Sequence, residues 1–178
     1  PMFQADALWL NFESINENDE EDYPIAVKIG TGKICAVSGD DWVTSLNRDP
    51  QDYLVVPDQP WIDGYNVAED IVKQFVAAPL GQGYTVEEQL KSGTTTGGIQ
   101  IQVFPMKREF YDNLNRPIES VKNYFVDYSL PAPSFDLGLA AGGSMRQEIY
   151  EDPHSFNAWD LRQTERCFVT IANASQWI

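Results

Sequence analysis

From Gly98 to Phe104 apolar and polar residues alternate: Ile99, Ile101 and Val103 share one face, Gln100 and Gln102 the other. Successive side chains of a strand point to opposite faces, so this pattern specifies an antiparallel strand with one face on a core and one toward water. Such a strand needs partners, and the rest of the chain supplies them.

Ala7–Phe12, Pro24–Ile29, Ile34–Val37, Tyr53–Val56 and Arg166–Ala172 all read as short strands. Gly30, Thr31 and Gly32 form a hairpin turn between the second and third, because glycine reaches positive φ without a Cβ clash. Ile71–Ala77 is a further strand, with a short helix as the alternative, and Tyr84–Leu90 is a strand of imperfect alternation. Helical periodicity is scarce; Pro117–Val126 fits one short helix or another strand. The expected fold is mainly β, an antiparallel β-sandwich with at most one or two short helices. Pro131 and Pro133 followed by Gly142 and Gly143 suggest a hinge. Residues 1–128 are therefore expected to form the sandwich domain and residues 129–178 an extended arm with a returning strand.

Composition narrows the partners. Aromatic residues make up 12% of the 178 positions, enough to exclude global disorder. The formal net charge is −15, so the chain has no surplus cations with which to neutralise phosphates. That argues against nucleic acid and against an anionic membrane surface. No apolar run approaches the roughly 18 residues of a membrane-spanning helix, which suggests a soluble protein. Cys35 and Cys167 sit in alternating apolar segments and read as two reduced, buried thiols, with one long-range disulfide as the alternative. The chain begins at Pro1 and ends at Gln176, Trp177 and Ile178, which reads as a fragment or a domain of a longer protein.

Motifs for catalysis are missing. The single histidine, His154, stands in a polar stretch and reads as a surface-loop residue; no G-x-S-x-G elbow accompanies it. Gly81 and Gly83 lack the third glycine of a dinucleotide fingerprint and suit a tight turn. Asp and Glu total 27, so a carboxylate pair for glycoside hydrolysis is available, but abundance makes any chosen pair uninformative. Glu87 and Glu88 would point to opposite faces of a strand, leaving one inward and in need of a partner. Calcium is a better fit to acidic loops than catalysis is. Asn16–Asp22, Asp40 with Asp41, and Asp49 with Asp52 all offer oxygens, although solvated acidic loops explain them as well.

Pro57–Gly64 is the most distinctive stretch. Two prolines fix φ and remove two backbone donors, so it cannot be a central strand. Trp61 could stack on a sugar ring while Asp58 and Asp63 take its hydroxyls; a metal set of Asp40, Asp41 and Asp63 would bind calcium on the same surface. The structural alternative is that Trp61 plugs the end of the sandwich.

The segments Gln51–Gly64, Val72–Ala77, Leu80–Leu90 and Gly97–Ile101 resemble an uncharacterised family of bacterial and fungal proteins, some of which lie next to ubiquitin-like segments. The resemblance covers residues 25–106 well and Met145–Trp177 more loosely, and it implies a chain that continues past Trp177. It implies no activity and transfers no catalytic residue. The function expected from the residues is a non-catalytic binding or interaction module, one domain of a larger secreted assembly, with a protein, a carbohydrate or calcium as ligand. The alternative is a carboxylate-dependent hydrolase such as a glycoside hydrolase.

Overall fold

A computed structural model describes residues 1–13, 22–68, 71–90, 96–114, 144–145 and 147–176. Its strands are β1 (Ala7–Leu8), β2 (Leu10–Asn11), β3 (Ile25–Thr31), β4 (Ile34–Cys35), β5 (Leu54–Val56), β6 (Trp61–Ile62), β7 (Gly64–Ala68), β8 (Ile71–Val76), β9 (Ile99–Pro105), β10 (Ser144–Met145) and β11 (Glu165–Val169). The α-helices among the described residues are α1 (Val86–Leu90) and α2 (Arg108–Leu114). Every pairing between these strands is antiparallel. The mainly-β, antiparallel expectation therefore holds. The helix proposed over Pro117–Val126, the proline-glycine hinge and most of the Asn16–Asp22 loop lie outside the described residues.

One sheet runs β11-β9-β3-β4, with β5 also on β3; the other is built on β8, which pairs β1, β7 and β10. A two-stranded ribbon joins β2 to β6. Alternation along β3 explains the two cores. Val27 and Ile29 enter one apolar cluster with Leu54, Ile62 and Phe75, and so does Ile99. Ala26 enters the other, with Tyr53, Val55, Phe104, Met106 and Trp159. The first cluster takes side chains from both sheets, the arrangement a β-sandwich requires.

Because β3 and β9 of the first sheet are covered on both faces, one expectation needs correction. Gln100 and Gln102 do not face water; both are buried. Gln100 Nε2 donates to Gly32 O at 2.7 Å, and Gln102 Nε2 to Thr44 O and Thr164 Oγ1, each at 3.0 Å. Pairing of the two Nε2 groups offsets their burial, while Gln102 Oε1 is buried with no hydrogen-bond partner among the described residues. Lys28 lies in the same layer, fully buried and ion-paired to Asp52, with Nζ 5.2 Å from the Trp42 ring.

The Tyr84–Leu90 segment is a second correction: it is helix, not strand, from Val86 onward. Thr85 and Glu88 form a capping box. Glu88 N donates to Thr85 Oγ1 at 3.3 Å, and Glu88 Oε2 accepts from Thr85 N at 3.2 Å. Reciprocal capping of this kind satisfies donors that a helix start leaves free, and it overrides a weak strand pattern.

The thiols are a third correction. Cys35 is buried, its pKa pushed up by burial, and its Sγ donates to Asp52 O at 3.3 Å. Cys167 is exposed, and both are free. Alternation placed Cys167 on the core-facing side of β11, opposite Ile101, but no layer covers that edge among the described residues.

Residues 147–159 close the molecule against the loops around Arg48 and Gln59. Asp152 anchors them: its Oδ2 accepts from Tyr53 OH at 2.6 Å and Trp159 Nε1 at 2.8 Å, and its Oδ1 from His154 N at 2.8 Å. No helix among the described residues is long and apolar enough to cross a membrane.

Candidate functional site

The structure places the sequence-predicted loop on the outer side of the β2–β6 ribbon. Ile62 is fully buried while Trp61 keeps 39% of its surface exposed. Trp61 stands opposite Asn11 in register, and Leu10 opposite Ile62. Alternation thus puts Trp9, which is 71% exposed, on the same outer face, diagonal to Trp61. The exposed ring of Tyr150 approaches Trp61 edge-on, with centroids 6.5 Å apart.

Asp58 and Asp63 flank this face differently. Asp58 is exposed, and its Oδ2 lies 4.0 Å from His154 Nε2. His154 is therefore no isolated surface histidine. Its ring packs against Trp159, and its Nε2 is buried with no hydrogen-bond partner among the described residues. Asp63 is half-buried, and desolvation pushes its carboxyl pKa up. Its backbone is fixed from both sides: Asp63 N donates to Gln147 Oε1 at 3.1 Å, and its carbonyl accepts from Phe75 N at 2.9 Å.

Asp40 and Asp41 belong to the β4 hairpin. Cys35 N donates to Asp40 O at 2.8 Å, and Asp41 bridges to Ile34. Among the described residues no three His, Cys, Asp or Glu side chains are grouped so as to hold a metal ion. Asp40, Asp41 and Asp63 are thus not brought together.

A different site has the concave geometry that ligands use. A cleft of about 450 Å³ opens where the two sheets part, with α1 as one wall. Leu8, Phe75, Ala78, Leu80, Val86 and Ile99 give it an apolar lining. The volume falls in the ~300–1,000 Å³ range of small-molecule pockets. Leu80 and Tyr84 are exposed at the cleft. Lys73, on β8, is exposed and is the one cation among the described lining residues.

Polar groups converge at one end. Tyr65 and Thr31 share a hydroxyl–hydroxyl hydrogen bond, and the Tyr65 ring packs edge-on to Phe75 at 4.9 Å. Burial pushes the Tyr65 phenol pKa up; the Thr31 bond opposes this, and the Glu87 charge adds to it. Glu87 itself is 2% exposed. Its Oε1 accepts from Lys33 N at 3.1 Å, and its Oε2 from Thr96 N and Gly97 N, each at 3.0 Å. Three backbone donors offset the cost of burying this carboxyl group. Glu87 is the one carboxylate among the described lining residues.

The inward glutamate in need of a partner, expected of residues 87 and 88 on a strand, is Glu87 on a helix, and its partners are the N–H groups of Lys33, Thr96 and Gly97. The Thr85–Glu88 capping pattern is the sequence signal that would have placed it on a helix. Comparison with known proteins finds no match: no family model, no curated protein and no solved structure is similar to this chain.

Proposed function

We propose that this protein is a binding module, and that the cleft between β8, α1 and the β3 end of the first sheet seats a small ligand with an apolar body and one anionic head group. The observation that carries this is the pairing of apolar walls with an exposed cation, Lys73, the one among the described lining residues, in a chain of net charge −15. An anion would otherwise be repelled, so a lysine at the cleft is a group that favours a negative head. Tyr65 and Thr31 offer hydroxyls for orientation, and Glu87 shapes the floor with its own oxygens already engaged.

Anilinonaphthalene sulfonate, an aromatic body with one sulfonate, tests this by fluorescence titration. Saturable binding is expected. Ala78→Trp should fill the cleft and abolish binding, and Lys73→Met should weaken it about five-fold or more, with melting temperatures near that of the parent. Binding indifferent to Ala78→Trp would place the probe elsewhere; binding indifferent to Lys73→Met would remove the anionic head group.

Sugar binding on the β2–β6 ribbon is the second possibility. The exposed Trp9, Trp61 and Tyr150, with Asp58 and Asp63 beside them, favour it. Aromatic faces bury sugar rings while carboxylates accept hydrogen bonds from the hydroxyls. Retention on insoluble cellulose or chitin, lost in Trp61→Ala, would support it. Calcium on Asp40, Asp41 or Asp63 has no comparable support from the geometry.

A further inference from the structure

We propose that α1 is a hinged gate on the cleft, swinging at Gly81 and Gly83 and latched by the carboxyl group of Glu87. The gate rests on the reading of the cleft as the ligand seat. α1 forms one wall, and Glu87 is the one buried residue of the helix. Its two apolar side chains hold it weakly: Val86 is half-buried and Leu90 is 61% exposed. What fastens the helix is the set of bonds that Glu87 accepts, from Lys33 N in the β3–β4 hairpin and from Thr96 N and Gly97 N ahead of β9.

A polar latch releases differently from an apolar anchor. When it parts, water takes over the bonds of the carboxyl group and of the three N–H groups, so the net cost is small beside the gross strength of the bonds. Withdrawing a buried leucine would instead expose apolar surface, which water does not compensate. The helix is built to move as a unit, because the Thr85–Glu88 capping box closes its first turn with bonds internal to the segment. Ahead of that box the chain stands clear of the body. Gly81 and Gly83 hold φ at +84° and +79°, and a Cβ on either would meet no described atom within 4 Å beyond its chain neighbours. Leu80, just before them, is seated on Gly97, where a Cβ would lie 3.0 Å from Leu80 Cδ2. A fixed residue, a clear two-glycine stretch and a capped helix are the parts of a hinge and lid. Few buried apolar contacts set the free energy of such local opening well below that of global unfolding.

Amide hydrogen exchange of the full chain, read with stopped-flow binding of anilinonaphthalene sulfonate, tests this. One gate frees three amides at once, so Lys33, Thr96 and Gly97 should share one protection factor, lower than that of the β3 core. Gly83→Ala is the deciding variant. It alters neither the latch nor a residue that lines the cleft, and it strains the backbone of the closed form alone. It should speed exchange at all three amides at least about five-fold, and association of the probe by a similar factor; circular dichroism checks that the variant folds. Exchange that Gly83→Ala leaves unmoved, while Glu87→Gln still quickens it, would make Glu87 a fixed structural brace and overturn the proposal. Faster exchange with unchanged association would show that α1 opens without being the entrance, and would overturn it too. A probe that never binds would end the reading of the cleft, and the gate with it, whereas saturable binding with unmoved exchange ends the gate alone.

Discussion

A Cβ placed on Gly32 would lie 2.2 Å from Oε2 of Glu87. The two residues are fitted to each other: the carboxylate fills the space a side chain at 32 would need, and Gly32 holds φ at +55°. Gly32→Ala should therefore cost about 1–2 kcal/mol for the left-handed backbone alone, and more for displacing Glu87. Glu87→Gln keeps the size but sets an amide N–H₂ against backbone N–H donors, at about 1–3 kcal/mol. Urea unfolding measures both. A loss below about 0.5 kcal/mol in each would mean that Glu87 does not hold α1 to the hairpin.

The ion pair Lys28–Asp52 is buried on both sides. Asp52 Oδ1 also accepts from Asn47 N at 2.9 Å, and Lys28 Nζ donates to Ser45 O at 2.8 Å. Lys28→Met strands the aspartate and should cost about 3–5 kcal/mol, whereas combining it with Asp52→Leu should recover much of that. A double variant as unstable as the single would show that the loop contacts, not the unpaired charge, set the cost.

How far the sequence carried the argument follows from where information is local. The alternation of Ile99, Ile101 and Val103 located β9 and its core face, because period-two patterning reports burial on that face directly. It could not say that residues 42–48 and 164 cover the other face, which buried Gln100 and Gln102. β6 escaped because Pro57 and Pro60 mark a loop, yet Trp61 and Ile62 pair on a ribbon where no central ladder is needed. Trp61 was legible as an ordered aromatic. The approach of Tyr150 to Trp61 and of His154 to Asp58 was not, since contacts between such distant segments leave no local pattern. The cleft was invisible for the same reason: its walls come from β1, β3, β8, β9 and α1.

Asp63 carries a pH dependence. Desolvation raises its folded-state pKa above the ordinary carboxylate value. Over that window the native state keeps a proton that the unfolded chain has released, so stability falls as pH rises from the ordinary value through the raised one. Asp63→Asn removes this penalty. The variant should melt higher than the parent at about pH 7, and the difference should vanish near about pH 3, where both forms are neutral. Equal melting curves at every pH would show that the carboxylate is solvated in the native state.

Trp61 and Trp159 should separate cleanly. Trp159 is 1% exposed, packs in the second core cluster and donates to Asp152. Trp159→Ala should cost about 3–5 kcal/mol or prevent folding. Trp61→Ala, at an exposed position, should shift the melting temperature little. A large loss at Trp61 would make it a structural plug and end its part in sugar binding.

The claim that matters most is that the cleft is a ligand seat, and amide chemical shifts test it directly. Octanoate, an apolar chain with one carboxylate, is titrated into ¹⁵N-labelled protein. Saturable shifts are expected at Gly32, Tyr65, Lys73, Val86, Gly97 and Gly98, the residues that line the cleft, and they should be lost in Ala78→Trp. No shift at these positions, or shifts confined to Trp9, Trp61 and Tyr150, would contradict it.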